Sequence, residues 1–224
     1  MANPKLIDMY KDFLSLVRKA RVGTVSPEEF TRTLNLAIEE AVNNKLSAME
    51  VNKKVYDELS PLKDSIESAG SLTLIGNKDF KYILHSFDYR RIVAVRIDLS
   101  STIRNVKCHI LPSIEKSEVL SGYYSKPSNK KCYYEPVTLG GMQSIKIYVP
   151  QSVENVNNMT VYVELYEEPD EVPIADVTNN TKYSQFNKEM SSYIVNIAAR
   201  MYIESVADPR YQSFLNELQT KINN

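Results

Sequence analysis

The chain has 224 residues, 43% of them hydrophobic and 25% charged, enough for a sizeable core. Its 27 basic and 28 acidic side chains give a net charge of -1, which excludes bulk attraction to nucleic acid or to an acidic membrane. No apolar run reaches the roughly 18 residues of a membrane span, and the first residues, MANPKLIDMYKDF, lack the pattern of a secretory signal, so a cytosolic protein is expected.

In chain order, the apolar stripe Leu6, Tyr10, Phe13, Leu14 and Val17 predicts a first helix over about 4–19, with Asn3 as its cap and Pro4 in its first turn. Residues 21–24 turn the chain. Ser26 and Glu29 then have the spacing of a capping box, with Pro27 at the first helical position and Val25 and Phe30 placed as a hydrophobic staple. Phe30, Leu34, Ala37, Ile38, Ala41 and Val42 make one face of that second helix apolar. A third helical stretch, about 48–59, ends before Ser60-Pro61.

After Gly70 the pattern changes. SLTLIG, KYILHSF, RIVAVRIDL, NVKCHIL, SIKIYV and MTVYVELYEE are rich in β-branched and aromatic residues and are separated by turn formers, so residues 71–168 read as a mainly antiparallel sheet. Residues 169–182 form an exposed acidic connection. Helix returns over 183–224, with Phe186, Met190, Ile194, Ile197 and Met201 on one stripe and a short last helix opening at Asp208-Pro209. The expectation is one α+β domain, 1–224, in which helices from both termini pack together beside the sheet.

Chemistry is scarce. Cys108 and Cys132 form no C-x-x-C pair and read as reduced packing residues, and His85 and His109 sit in strand-like stretches as structural residues. There is no G-x-S-x-G elbow and no glycine-rich phosphate motif, and six glycines leave little material for one. Glu167 and Glu168 are better read as a solvated pair than as an acid/base site. No metal, cofactor or enzymatic activity is expected. An enzyme would require His85, His109 and a carboxylate to converge.

Charge is more informative in its distribution. Arg90, Arg91, Arg96, Arg104 and Lys107 face only Asp98 in their stretch, Lys126, Lys130 and Lys131 load one loop, and Glu164, Glu167, Glu168, Asp170 and Glu171 fall close together. The plain reading is charge that keeps strand edges and a loop in solution. The sharper one is a subunit interface in which Arg90, Arg91, Arg96, Lys126, Lys130 and Lys131 meet Glu164, Glu167, Glu168, Asp170 and Glu171 of a neighbouring copy, head to tail.

Taken in order, GTVSPEEFTRTLNLAIEEAVNNKL, DELSPLK, YYSKPSNKKCYYEPV, SIKIYVP, MTVYVELYEEP and MYIESVADPRYQSFLNEL resemble the tail-barrel ring (head-to-tail connector) proteins of crAss-like podoviruses, phages of gut Bacteroidales. The resemblance covers most of the chain. It implies a structural virion protein of the tail, assembled in the bacterial host cytoplasm, that forms a twelve-fold ring below the portal. Its partners would be further copies of itself, the portal and neighbouring ring or tail proteins, and DNA would pass through the channel without specific binding. The alternative is a virion decoration or receptor-binding module without ring formation, which Tyr123, Tyr124, Tyr133 and Tyr134 around the lysine loop would serve; those tyrosines otherwise alternate into a sheet core and an interface.

Overall fold

The computed structural model describes residues 3–19, 24–48, 57–69, 73–76, 81–87, 89–122, 124–154, 159–206 and 220. It shows an α+β protein that divides into two compact units, Met1–Pro61 with Pro169–Asn224 and Leu62–Glu168, where the sequence reading takes a single domain. The second unit is thus an insertion between two halves of the first.

In the first unit, α1 (Leu6–Lys19) and α2 (Pro27–Ala48) pack with α5 (Lys188–Val206), so the N- and C-terminal helices share one core. Phe13 and Phe30 are fully buried with ring centroids 4.8 Å apart, and Tyr202 of α5 meets Phe13 at 5.7 Å. The capping box is present. The Ser26 N–H donates to Glu29 Oε2 at 2.8 Å and the Glu29 N–H to Ser26 Oγ at 3.2 Å, so two amides without helical partners are satisfied reciprocally. Val25 and Phe30, the expected staple pair, are both buried.

Two helix starts differ from the expectation. Asn3 does not cap α1: its side-chain amide donates to the carbonyls of Ser184 and Gln185, and the Leu6 N–H donates to the Lys182 carbonyl at 3.1 Å. A tertiary tie has taken the place of a local cap. α5 begins at Lys188, where Asn187 Oδ1 accepts from the Met190 N–H at 2.9 Å as its N-cap. The 169–182 connection contains one turn of helix, α4 (Ile174–Val177). The expected helix at 48–59 lies outside the described residues except for Ala48, which closes α2, and its last positions, and the expected final helix lies outside them except for Thr220.

The second unit is an eight-stranded sheet, with strands β1 (Lys63–Ala69), β2 (Thr73–Gly76), β3 (Lys81–Ser86), β4 (Arg91–Asp98), β5 (Val106–Ile110), β6 (Cys132–Leu139), β7 (Met142–Val149) and β8 (Thr160–Tyr166). Their order is β1-β8-β4-β5-β6-β7-β3-β2, antiparallel except for β5 and β6. Alternate residues from the strands, among them Ile83, Val95, Ile97, Ile145, Ile147 and Val163, form one buried cluster on the inner face.

Two strands escape the sequence pattern. β1 starts before Gly70, and KDSIESA is mostly polar, with only Ile66 packed against the inner core, as suits an edge strand paired only to β8. β6 carries Pro136, which would demote a central strand, but pairing with β5 ends at Ile110–Tyr134, so the missing N–H falls beyond that ladder. The parallel β5–β6 pair also requires a long return connection, and residues 111–131 supply it, with α3 (Lys116–Ser121) inside.

Candidate subunit interface

β4 and β8 are antiparallel neighbours, with Ala94 opposite Glu164 and Arg91 opposite Tyr166. This register places the basic stretch beside the acidic one within the same chain. Arg90 Nη1 lies 2.7 Å from Glu168 Oε2, Arg96 is paired with Glu164, and Lys63 Nζ approaches the same Glu164 at 3.4 Å. The partners expected across a subunit boundary for Arg90 and Arg96 are therefore found within the chain, Glu164 on β8 and Glu168 just past its end. Charge spacing along the sequence could not distinguish these cases, because register is a tertiary property. Glu167 is anchored through its backbone, its N–H donating to the Leu62 carbonyl at 2.9 Å.

The remaining predicted residues lie in different units. Lys126, Lys130 and Lys131 are exposed on the loop between α3 and β6, which is closed by a Ser128–Lys131 bridge with hydrogen bonds of 2.8 and 3.1 Å. Asp170 and Glu171 are exposed on the segment leading into α4. Asn35 of α2 holds that segment: its amide donates to the Val172 carbonyl at 3.1 Å and its Oδ1 accepts the Val172 N–H at 3.0 Å. A side-chain amide thus pairs with the strap as a neighbouring strand would. Between α2 and the strap lies a groove of about 760 Å³, with Leu36 and Ile174 exposed along it and Glu28, Glu39, Asp170 and Glu171 outnumbering Arg32. Sequence reasoning missed Asn35, Leu36 and Ile174; an exposed leucine on the polar face of α2 was the available signal.

On the outer face of the sheet, Tyr133, Tyr148 and Tyr82 stand in register on β6, β7 and β3, with His109 of β5 opposite Tyr133. Lys131, Lys116 and Lys146 sit 4.8, 5.5 and 5.4 Å from the rings of Tyr133, Tyr148 and Tyr82. Glu135 accepts from Lys116 Nζ at 2.7 Å and from the Tyr148 hydroxyl at 2.8 Å, which ties α3 to the sheet. Burial pushes the Glu135 pKa up, but those two hydrogen bonds and the nearby Lys146 outweigh it and leave the carboxyl below its ordinary value. Lys116 answers in kind: burial lowers its pKa, the hydrogen bonds to Glu135 and Tyr148 raise it, and the net shift is upward.

Of the tyrosines around the lysine loop, Tyr134 enters the inner core and Tyr133 the outer aromatic row, Tyr124 is 96% exposed, and Tyr123 lies outside the described residues. His85 alternates with buried Ile83 on the inner face and stacks near Phe87 at 5.1 Å, whereas His109 is on the outer face. With β6 and β7 intervening between β5 and β3, and His109 in register with Tyr82 rather than with His85, three strand spacings and three residues along the strand separate the two, which do not converge. His85 is lowered in pKa by burial; His109 is lowered by burial and then by Lys131 and Lys107. Cys108 and Cys132 are buried free thiols, paired in register on β5 and β6, and the adjacent Cys132 thiol together with burial pushes the Cys108 pKa up. Among the described residues no group of His, Cys, Asp or Glu could hold a metal ion, and no helix is long and apolar enough to cross a membrane. Neither protein-family models nor curated proteins give a match to this chain.

Proposed function

We infer that this chain is a structural virion protein forming a ring of a phage head-to-tail or tail-barrel assembly around the DNA channel. The observation that carries this reading beyond the sequence resemblance is the separation of exposed charge: lysines 126, 130 and 131 on the sheet unit, Asp170 and Glu171 on the helical unit. Oppositely charged surfaces at different places on one subunit suit a heterologous contact, which generates rings when the rotation closes. A two-fold contact would instead have to hold both surfaces within one self-complementary patch, each meeting the other reciprocally. Twelve copies would follow the portal's symmetry, with neighbouring ring or tail proteins above and below. Exposed ion pairs contribute only about 0–1 kcal/mol each, so the portal or a preceding ring would template assembly of subunits that are monomeric alone.

Imaging of assembled particles tests the reading. The expected outcome is a closed ring of this chain at the base of the portal. Recovery as a two-fold dimer, or as a single copy at a fibre tip, would overturn it. The exposure of Tyr124 beside three lysines favours the second reading, a decoration or receptor-binding module, and the same images would show the chain on the particle's outside.

A further inference from the structure

β5 presents Lys107 and His109 on the outer face of the sheet, alternating with the buried Val106 and Cys108, and Lys107 and Lys131 each stand one residue before the Cys108–Cys132 pair. All three outer residues are exposed. Neither lysine forms an ion pair among the described residues. Burial lowers the His109 pKa, and the charges of Lys131 and then Lys107 lower it further, with no acid acting against them. Lys107 stands opposite Arg96 on β4 and His109 opposite Tyr133 on β6, so neither neighbouring strand sets a carboxylate against them. The acids of this face are committed elsewhere. Glu164 is paired with Arg96 and Lys63, and Glu135 accepts from Lys116 and the Tyr148 hydroxyl. Asp98 accepts from the Asn105 N–H at 2.6 Å and from the Tyr162 hydroxyl at 3.4 Å.

We propose that Lys107, His109 and Lys131 form a site for the backbone phosphates of duplex DNA, and that this outer face of the sheet is turned toward the DNA channel. The proposal deepens the ring reading and rests on it for the presence of DNA beside the subunit. Strand geometry keeps the three residues within about 8 Å of one another at their backbones, so two ammonium groups and an imidazole N–H can converge on one or two phosphates. A DNA backbone is held by charge and needs no apolar pocket. A protein partner draws most of its affinity from buried apolar anchors, and this face withholds them, because Tyr133 and Tyr148 are only 5% and 1% exposed beneath α3 and the lysines. The same covering keeps those rings from stacking on unpaired bases, which favours a duplex over a single strand. Three groups neutralise few phosphates. The contact is therefore weak and indifferent to sequence, and Lys130 remains for the contact between copies.

The two histidines of the chain supply the readout, since nuclear magnetic resonance follows the imidazole signals of each as pH is varied. His85, on the inner face and lowered by burial alone, is the internal control. With the full chain and a mixed-sequence DNA duplex at about 20 mM salt, the His109 signals should move and its pKa should rise by about half a unit or more, while His85 stays put. A duplex of unrelated sequence should act alike. Lys107→Gln with Lys131→Gln should abolish the His109 response and reduce the slope of log affinity against log salt by about 2, or about 1 for each lysine. Both positions are exposed, so the melting temperature should hold; Lys107→Gln alone, which touches no ring, repeats the test if the loss of Lys131 from the Tyr133 ring disturbs the fold. No duplex binding, binding that leaves His109 unmoved, or an unchanged slope in the variant would overturn the proposal. So would an equal response to polyglutamate or to inorganic phosphate at the same charge concentration, which would assign the site to an acidic protein segment or to a free anion. Failure here with a closed ring in particle images would leave the ring reading standing with another face toward the DNA. The His109 response without a ring would keep the phosphate site and remove the ring.

Discussion

At the scale of single residues, the strongest local signal was the capping box, and the structure makes both of its hydrogen bonds. Ser26→Ala removes the acceptor for the Glu29 amide while leaving an exposed position sterically undisturbed. We predict a loss of about 1 kcal/mol, or roughly 2–4 °C in the melting temperature of a chain this size, read by thermal unfolding. An unchanged midpoint would mean that the bond adds nothing beyond what water supplies. Asn3 shows the opposite case. Its position before Pro4 has the chemistry of a cap, yet its amide is committed to Ser184 and Gln185, residues far along the chain that no local rule brings near.

At the scale of elements, the link between α3 and the sheet depends on Glu135, which sits beneath Lys116 and beside the Tyr148 hydroxyl. Its carboxyl is held below the ordinary value, so its contribution is fully present above the unfolded carboxylate pKa of about 4.3 and is lost as pH falls through the lower folded value. Lys116 is held above its ordinary value, so its share persists through neutral pH and is lost as pH rises past about 10.4. Glu135→Gln should cost about 1–3 kcal/mol at pH 7. The gap from the parent protein should narrow below about pH 4.3. Melting curves across pH check both statements, and identical curves at pH 7 would refute them. The return connection that holds α3 has its own cause at this scale: a parallel strand pair cannot be joined by a tight turn.

For the whole molecule, charge sets the behaviour toward nucleic acid. A net charge of -1, with Arg90 and Arg96 already paired to Glu168 and Glu164, leaves little to neutralise phosphates. Duplex DNA should bind weakly and without sequence preference, with a Kd above about 1 µM at physiological salt, as suits a conduit whose cargo must slide. Affinity against salt is the measurement. Sub-micromolar binding that disappears on changing Arg90 and Arg91 would indicate a dedicated DNA-binding protein instead. The inserted arrangement of the units also belongs to this scale, because α1 and α2 must find α5 across the whole length of the sheet unit.

The amino-acid sequence by itself determined what depends on neighbours in the chain. The 3.6-residue stripes of α1, α2 and α5, the box at Ser26 and six of the eight strands are all visible there, since periodicity and capping are local. So is the α+β class. β1 and β6 were not visible, because an edge strand needs no apolar face and a proline is harmless where its ladder has ended. The pairing of Arg90 and Arg96 with Glu168 and Glu164, the clamp of Asn35 on Val172 and the groove beside it were decided only by tertiary structure. Each depends on which distant segment lies alongside, and strand register and helix packing are settled by the burial of the whole core rather than by any stretch of the chain.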